Sequence, residues 1–214
     1  KRCNFYNVNR VMAFATINPD LSYWQKQTKP LYPDLIWNIP ERKTGRVSII
    51  GGNAQGFSTV IRLSEFMSQN FPFSTLTTIL PDALRGKLPN LTNLEFAIST
   101  ASGSFARSAL LQTAFEQSDA ILLAGDLSRN SETAITLSNL INPQNPRPLI
   151  LTRDSVDLLA PEAASWLLRP HTFIIASMLQ LQKLFRSVYY PRMILLSQPL
   201  LPVLETLHKF TLTY

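Results

Sequence analysis

The sequence predicts an α/β protein with a mostly parallel central sheet and helices on both faces. Two observations predict it. Short apolar runs such as Ile121-Leu122-Leu123 and Leu149-Ile150-Leu151 do not alternate with polar residues, as expected of strands covered on both sides. Between such runs lie longer stretches with helical spacing, and that alternation implies right-handed parallel crossovers.

Taken in order, residues 1–44 read as an irregular arm. They hold Pro19, Pro30, Pro33 and Pro40 among Tyr23, Trp24, Tyr32 and Trp37, a pattern that argues against a long helix. So many large apolar groups would pack on the main body or on a neighbouring subunit. From Arg46 the pattern becomes regular. Strands are expected at Val47–Ile50, Leu76–Leu80, Leu94–Ile98, Ala120–Ala124, Pro148–Leu151, Phe173–Ala176, Met193–Leu196 and from Phe210 onward. Helices are expected near 57–70, 104–117, 131–141, 155–167, 178–187 and 199–209. Residues 45–214 therefore read as one domain.

The 214 residues suffice for a core that buries about 70% of the unfolded surface without staples. Hydrophobic residues at 45% and charged residues at 16% exclude wholesale disorder and a membrane bundle, and no run of about 18 apolar residues occurs. Cys3 is the single cysteine, and the chain shows no charged start followed by an apolar stretch, so a reducing cytoplasm is the expected location. The net charge of +6 is spread along the chain rather than gathered on one helix, which argues against a nucleic-acid patch and stays compatible with anionic small molecules. The aromatic arm and apolar surface helices are compatible with a homo-oligomer.

Three segments carry the candidate site. In Gly45–Phe57 a glycine pair, Gly51 and Gly52, ends a buried strand, Asn53 follows, and Gly56 opens a helix. Glycine lets a backbone approach a ligand, and a helix start offers N–H groups to anions. The spacing is neither GxGxxG nor a P-loop, so a tight turn explains it as well as a ligand loop does. The second segment, Ala124–Thr133, again joins a strand to a helix. Asn130 or Ser131 can cap that helix, while Asp126 has no such explanation. In the third, Asp154 follows a strand edge, where it either caps the next helix or converges with Asp126 on a ribose hydroxyl or hydrated cation. His171 and His208 lack partners at metal-ligand spacing, and Ser102-Gly103-Ser104 is not framed as a nucleophile elbow, so both features read as structural. All seven glycines lie at or before Gly125, so the rest of the chain shows no recognisable phosphate cradle.

Together the three segments resemble the ribokinase-like ADP/ATP-dependent NAD(P)H-hydrate dehydratase family, in order and spacing across residues 40–180. That family's first motif reads like GRVLVIGGS, so Gly51, Gly52 and Asn53 stand at its substrate-side positions. Its second reads like IGPGLGRDEET, with Asp126 and Ser128 here in place of two glycines and Asn130 in place of the aspartate. Its third reads like PLVIDADALNLLA, with Thr152 for the first aspartate, Asp154 matching the second and Asp157 for the asparagine. Its TPHPGE segment would fall at Ala176–Leu181, which lacks that pattern, and its GTGD motif, with the catalytic aspartate, would come after Tyr214. The resemblance implies a three-layer ribokinase-like fold and ATP or ADP with Mg²⁺ as cofactor. The implied activity is dehydration of hydrated nicotinamide nucleotides, and Gly51, Gly52, Asn53, Asp126, Ser128, Asn130 and Asp154 would bind substrate. A non-catalytic nucleotide- or protein-binding relative and a small-molecule kinase of the same fold are the alternatives.

Overall fold

The computed structural model describes residues 45–71, 74–88 and 93–214. The arm expected over 1–44, Cys3 included, lies outside them.

Six strands form one parallel sheet: β1 Gly45–Gly51, β2 Ser74–Pro81, β3 Leu94–Ala97, β4 Ala120–Gly125, β5 Leu149–Thr152 and β6 Thr172–Ile175, in the spatial order β3-β2-β1-β4-β5-β6. The chain runs outward from β1 to β3, then returns past β1 to place β4 on its other side. The carboxyl ends of β1 and β4 thus flank the topological switch point, where open α/β sheets bind ligands.

Period-two alternation splits the core between the two faces. Ile49, Leu80, Leu122 and Ala124 turn to one face and pack with Val60 of helix α1 (Ser58–Asn70). Ile50, Ile79, Ile121, Leu123, Leu149 and Leu151 turn to the other. There they meet α2 (Ala109–Gln117), α3 (Ser131–Leu140), α4 (Asp154–Leu159), α5 (Ala163–Trp166), α6 (Met178–Ser187) and α7 (Leu200–Thr213) through Leu111, Leu137, Val156, Trp166, Leu184 and Phe210. Ile49, Ile50, Leu80 and Leu123 are wholly buried, and full burial of such a side chain contributes about 1.5–3 kcal/mol. The doubly covered, non-alternating strands expected at Val47–Ile50 and Ala120–Ala124 have this cause. Buried polar groups are paired: Ser48 and Ser118 hydroxyls meet at 2.6 Å, and the Thr78 hydroxyl donates to Ser64 Oγ at 2.7 Å, tying α1 to β2.

Two expected strands are not strands. Met193–Leu196 is loop, with Ile194 buried and Met193, Leu195 and Leu196 exposed. The segment from Phe210 onward continues α7, because Val203, Thr206 and Phe210 lie on one helical face and the Phe210 ring stacks on Phe185 at 4.4 Å. The alternation of Phe210-Thr211-Leu212-Thr213 looks like a strand locally, and tertiary packing overrides it. The helix expected at 104–117 starts only at Ala109, capped by Ser108, whose Oγ accepts the Leu111 N–H at 3.3 Å. The stretch 155–167 is α4 and α5 separated by a 3₁₀ turn at Ala160–Glu162. Among the described residues no helix is long and apolar enough to cross a membrane.

Candidate functional site

The loops after β1, β4 and β5 all leave the carboxyl edge of the sheet and bond to one another. The Gly52 N–H donates to the Gly125 carbonyl at 3.0 Å, and Asn53 Nδ2 donates to the Asp126 carbonyl at 2.6 Å. The Asp154 carboxylate accepts the Asp126 N–H at 2.6 Å and the Leu127 N–H at 2.9 Å, and Arg153 Nη2 donates to Asp126 Oδ1 at 3.1 Å. A fourth loop, after β3, joins them. The Ala54 N–H donates to the Gly103 carbonyl at 2.9 Å, Asn130 Nδ2 donates to Ser102 Oγ at 2.7 Å, and the hydroxyls of Ser104 and Ser128 bond. The structure therefore brings Gly51, Gly52, Asn53, Asp126, Ser128, Asn130 and Asp154 to one rim.

Close approach explains two of the glycines. A Cβ on Gly51 would stand 2.6 Å from the Gly125 carbonyl oxygen, and one on Gly125 would stand 2.6 Å from Asp154 Oδ1, with φ of +87° besides. Both make room for neighbouring protein backbone and side chains. The β4 loop is conformationally costly: Asp126 and Ser128 sit at φ 55° and 60°, and Arg153 beside them at 56°. Side chains rarely adopt this region, and such residues gather at functional sites. Asp126 and Ser128 are the two positions at which the resembled motif carries glycine.

Of the two readings open for Asp154, the helix cap is not the one formed. Asp154 is the first residue of α4, and its carboxylate faces back onto the β4 loop, while Ser155 Oγ accepts the Thr152 N–H at 2.9 Å. Asn130 does cap α3, accepting the Thr133 N–H at 3.1 Å. The Asp126 side chain is 16% exposed; Oδ1 is held by Arg153, and Oδ2 has no hydrogen-bond partner among the described residues. That oxygen can accept from a ligand hydroxyl.

Sequence reasoning assigned no role to Arg153, Arg129 or Gln180. Arg153 and Arg129 are exposed along the rim, and Gln180 Nε2 donates to Asp157 Oδ2 at 2.8 Å and to the Arg153 carbonyl. The signal for Gln180 was Ser177-x-x-Gln180, a capping box: Ser177 Oγ accepts the Gln180 N–H, and Gln180 Oε1 accepts the Ser177 N–H. Burial pushes the Asp157 carboxyl pKa up. Hydrogen bonds from Lys183 and Gln180, with the charges of Lys183 and Arg129, outweigh it and hold the group below its ordinary value.

The loop after β1 offers no free N–H group to an anion. The N–H groups of Gly52, Asn53, Ala54, Gln55 and Gly56 are all spent within the protein, on Gly125, Gly56, Gly103 and Asn53 acceptors. Among the described residues no group of three or more His, Cys, Asp or Glu could hold a metal ion. The loop after β1 is thus a tight turn.

No family model and no curated protein matches the sequence. Among solved structures the chain is similar to a ribokinase-like superfamily protein from Enterococcus faecalis V583, with a TM-score of 0.61 and 19% identity over 77% of this chain. The match spans 54% of that protein, about half its length. That likeness is one of architecture, and the chain has a ribokinase-like α/β fold: a six-stranded parallel sheet with helices on both faces.

Proposed function

We propose that the crevice at the carboxyl ends of β1, β4 and β5 takes a nicotinamide nucleotide, and that the protein is NAD(P)H-hydrate dehydratase-like, serving nucleotide-dependent repair of hydrated NAD(P)H. The observation that carries this reading is the bonding of the three loops into one rim at the switch point, through Asn53, Asp126 and Asp154. The left-handed backbone at Asp126 and Ser128, where the resembled motif has glycine, supports it further.

In this reading the exposed Arg153 and Arg129 attract the ligand's phosphates, since guanidinium forks match phosphate oxygens. Asp126 Oδ2 accepts from a ribose hydroxyl, and its oxygen partner Oδ1 stays fixed by Arg153. Asp154 and Asn53 hold the β4 loop in place and position Asp126.

One observation favours a second reading, a non-catalytic relative that binds a nucleotide or a partner protein: the β1 loop has no N–H group left over for phosphate. An assay of hydrated NADPH with ATP or ADP and Mg²⁺, following recovery of the reduced-nicotinamide absorbance, decides between them. Turnover supports the dehydratase. Calorimetric binding of NADH without turnover supports the non-catalytic nucleotide-binding relative, and no response to any of these nucleotides rejects the dehydratase and leaves only the protein-binding relative.

A further inference from the structure

A cavity lies away from the rim, at the carboxyl end of α6. Its volume is about 470 Å³, within the range of small-molecule sites, and its walls are mainly apolar, from Phe185, Tyr190 and Ile194. Two guanidiniums, Arg186 and Arg192, and the Tyr189 side chain complete its lining.

Tyr189 is placed at a cost. The Tyr190 N–H donates to the Phe185 carbonyl at 2.8 Å and the Tyr189 N–H to the Arg186 carbonyl at 3.2 Å, the paired bonds of a Schellman helix end. That motif puts its penultimate residue in the left-handed region, where glycine is usual. Here Tyr189 occupies it at φ 53°, at a cost of about 1–2 kcal/mol. The side chain recovers nothing by packing, because Tyr189 is 92% exposed. A strained, unburied aromatic residue at the mouth of a cavity points to a ligand rather than to the fold.

Charge sets the ligand's sign. The Arg186 guanidinium has no hydrogen bond or ion pair among the described residues, and Arg192 reaches only Glu205, at 4.0 Å. Glu205 is already neutralised by Lys209 at 2.6 Å. Net positive charge beside an apolar, aromatic wall suits an anion carrying a flat ring.

We propose that this cavity binds a small planar aromatic anion, of the nucleoside monophosphate type. The ring lies against Tyr189, with the half-buried Tyr190 behind it, and the anionic group is held by Arg186 and Arg192. Aromatic faces and guanidiniums supply the two halves of that recognition.

The probe is AMP, titrated calorimetrically into the protein, with adenosine and ribose 5-phosphate as half-ligands. AMP binds more tightly than either half. Arg186→Ala and Tyr189→Gly each weaken AMP by about tenfold or more, the equivalent of one lost charge-assisted or stacking contact. Tyr189→Gly relieves the left-handed residue, so its thermal midpoint does not fall and lost binding is not lost folding. Three results overturn the proposal: no saturable AMP binding, AMP affinity unchanged in both variants, or AMP affinity that falls with Arg153→Ala and not with Arg186→Ala. The last would send AMP to the crevice and leave the nicotinamide nucleotide reading intact.

Discussion

Asp154 holds Asp126 through its backbone: both oxygens of one carboxylate take the consecutive N–H groups of Asp126 and Leu127, at 2.6 and 2.9 Å. The β4 loop, with Gly125, Asp126 and Ser128 all at positive φ, is thereby clamped from the start of α4. Asp154→Ala leaves two backbone donors without their charged acceptor and is expected to cost about 2–3 kcal/mol. Asp154→Asn keeps one acceptor and is expected to cost about half as much. Urea unfolding checks both, and a loss below about 0.5 kcal/mol for the alanine variant would show that the clamp is dispensable.

Glycine at 125 is a steric requirement, whereas glycine at 56 is not. Gly125→Ala combines φ of +87° with a Cβ 2.6 Å from Asp154 Oδ1 and is expected to destabilise by at least about 2 kcal/mol. In Gly56→Ala the new Cβ would meet nothing nearer than 3.8 Å, so its expected change is within about 0.5 kcal/mol. Thermal unfolding of the two variants side by side measures the difference.

The Asp157–Lys183 pair predicts an acid-side loss of stability. The folded carboxyl pKa lies below its unfolded value of about 3.9, so the pair's contribution is present above that pH. It disappears as pH falls through the folded value. Lys183 is half exposed, so the effect is small. Asp157→Asn should lower stability at neutral pH, and the gap to the parent should close on acidification. A gap that stays constant to the lowest accessible pH contradicts this assignment.

Burial in the last helix predicts the cost of losing its aromatic anchor. Phe210 is 5% exposed and lies within 5.1 Å of the Tyr190 and Tyr214 rings, besides its stack on Phe185. Phe210→Ala is expected to cost about 3–4 kcal/mol, measured by denaturant midpoint.

The sheet was legible because doubly buried strands leave unbroken apolar runs, as at Ile49-Ile50 and Ile121–Leu123. The rim was legible because strand-to-helix turns at a sheet edge need glycine and capping residues, which marked Gly51, Gly125 and Asn130. The contacts of Asp154 were not legible, since its partners are backbone N–H groups 27 and 28 residues earlier, a relation no local pattern records. The last two expected strands failed for a similar reason. Met193–Leu196 is apolar but only its Ile194 is buried, and Phe210 belongs to an aromatic cluster assembled from two separate segments, 185–190 and 210–214. Arg153 carried no signal, because a rim guanidinium looks like any solvated one.

The most direct measurement is calorimetric titration of NADH into the protein and into Arg153→Ala and Asp126→Ala variants. The crevice predicts saturable binding that weakens in both variants, by about tenfold for loss of a guanidinium–phosphate contact. Heats equal to buffer dilution, or equal affinity in all three proteins, would contradict a nucleotide site at the ends of β1, β4 and β5.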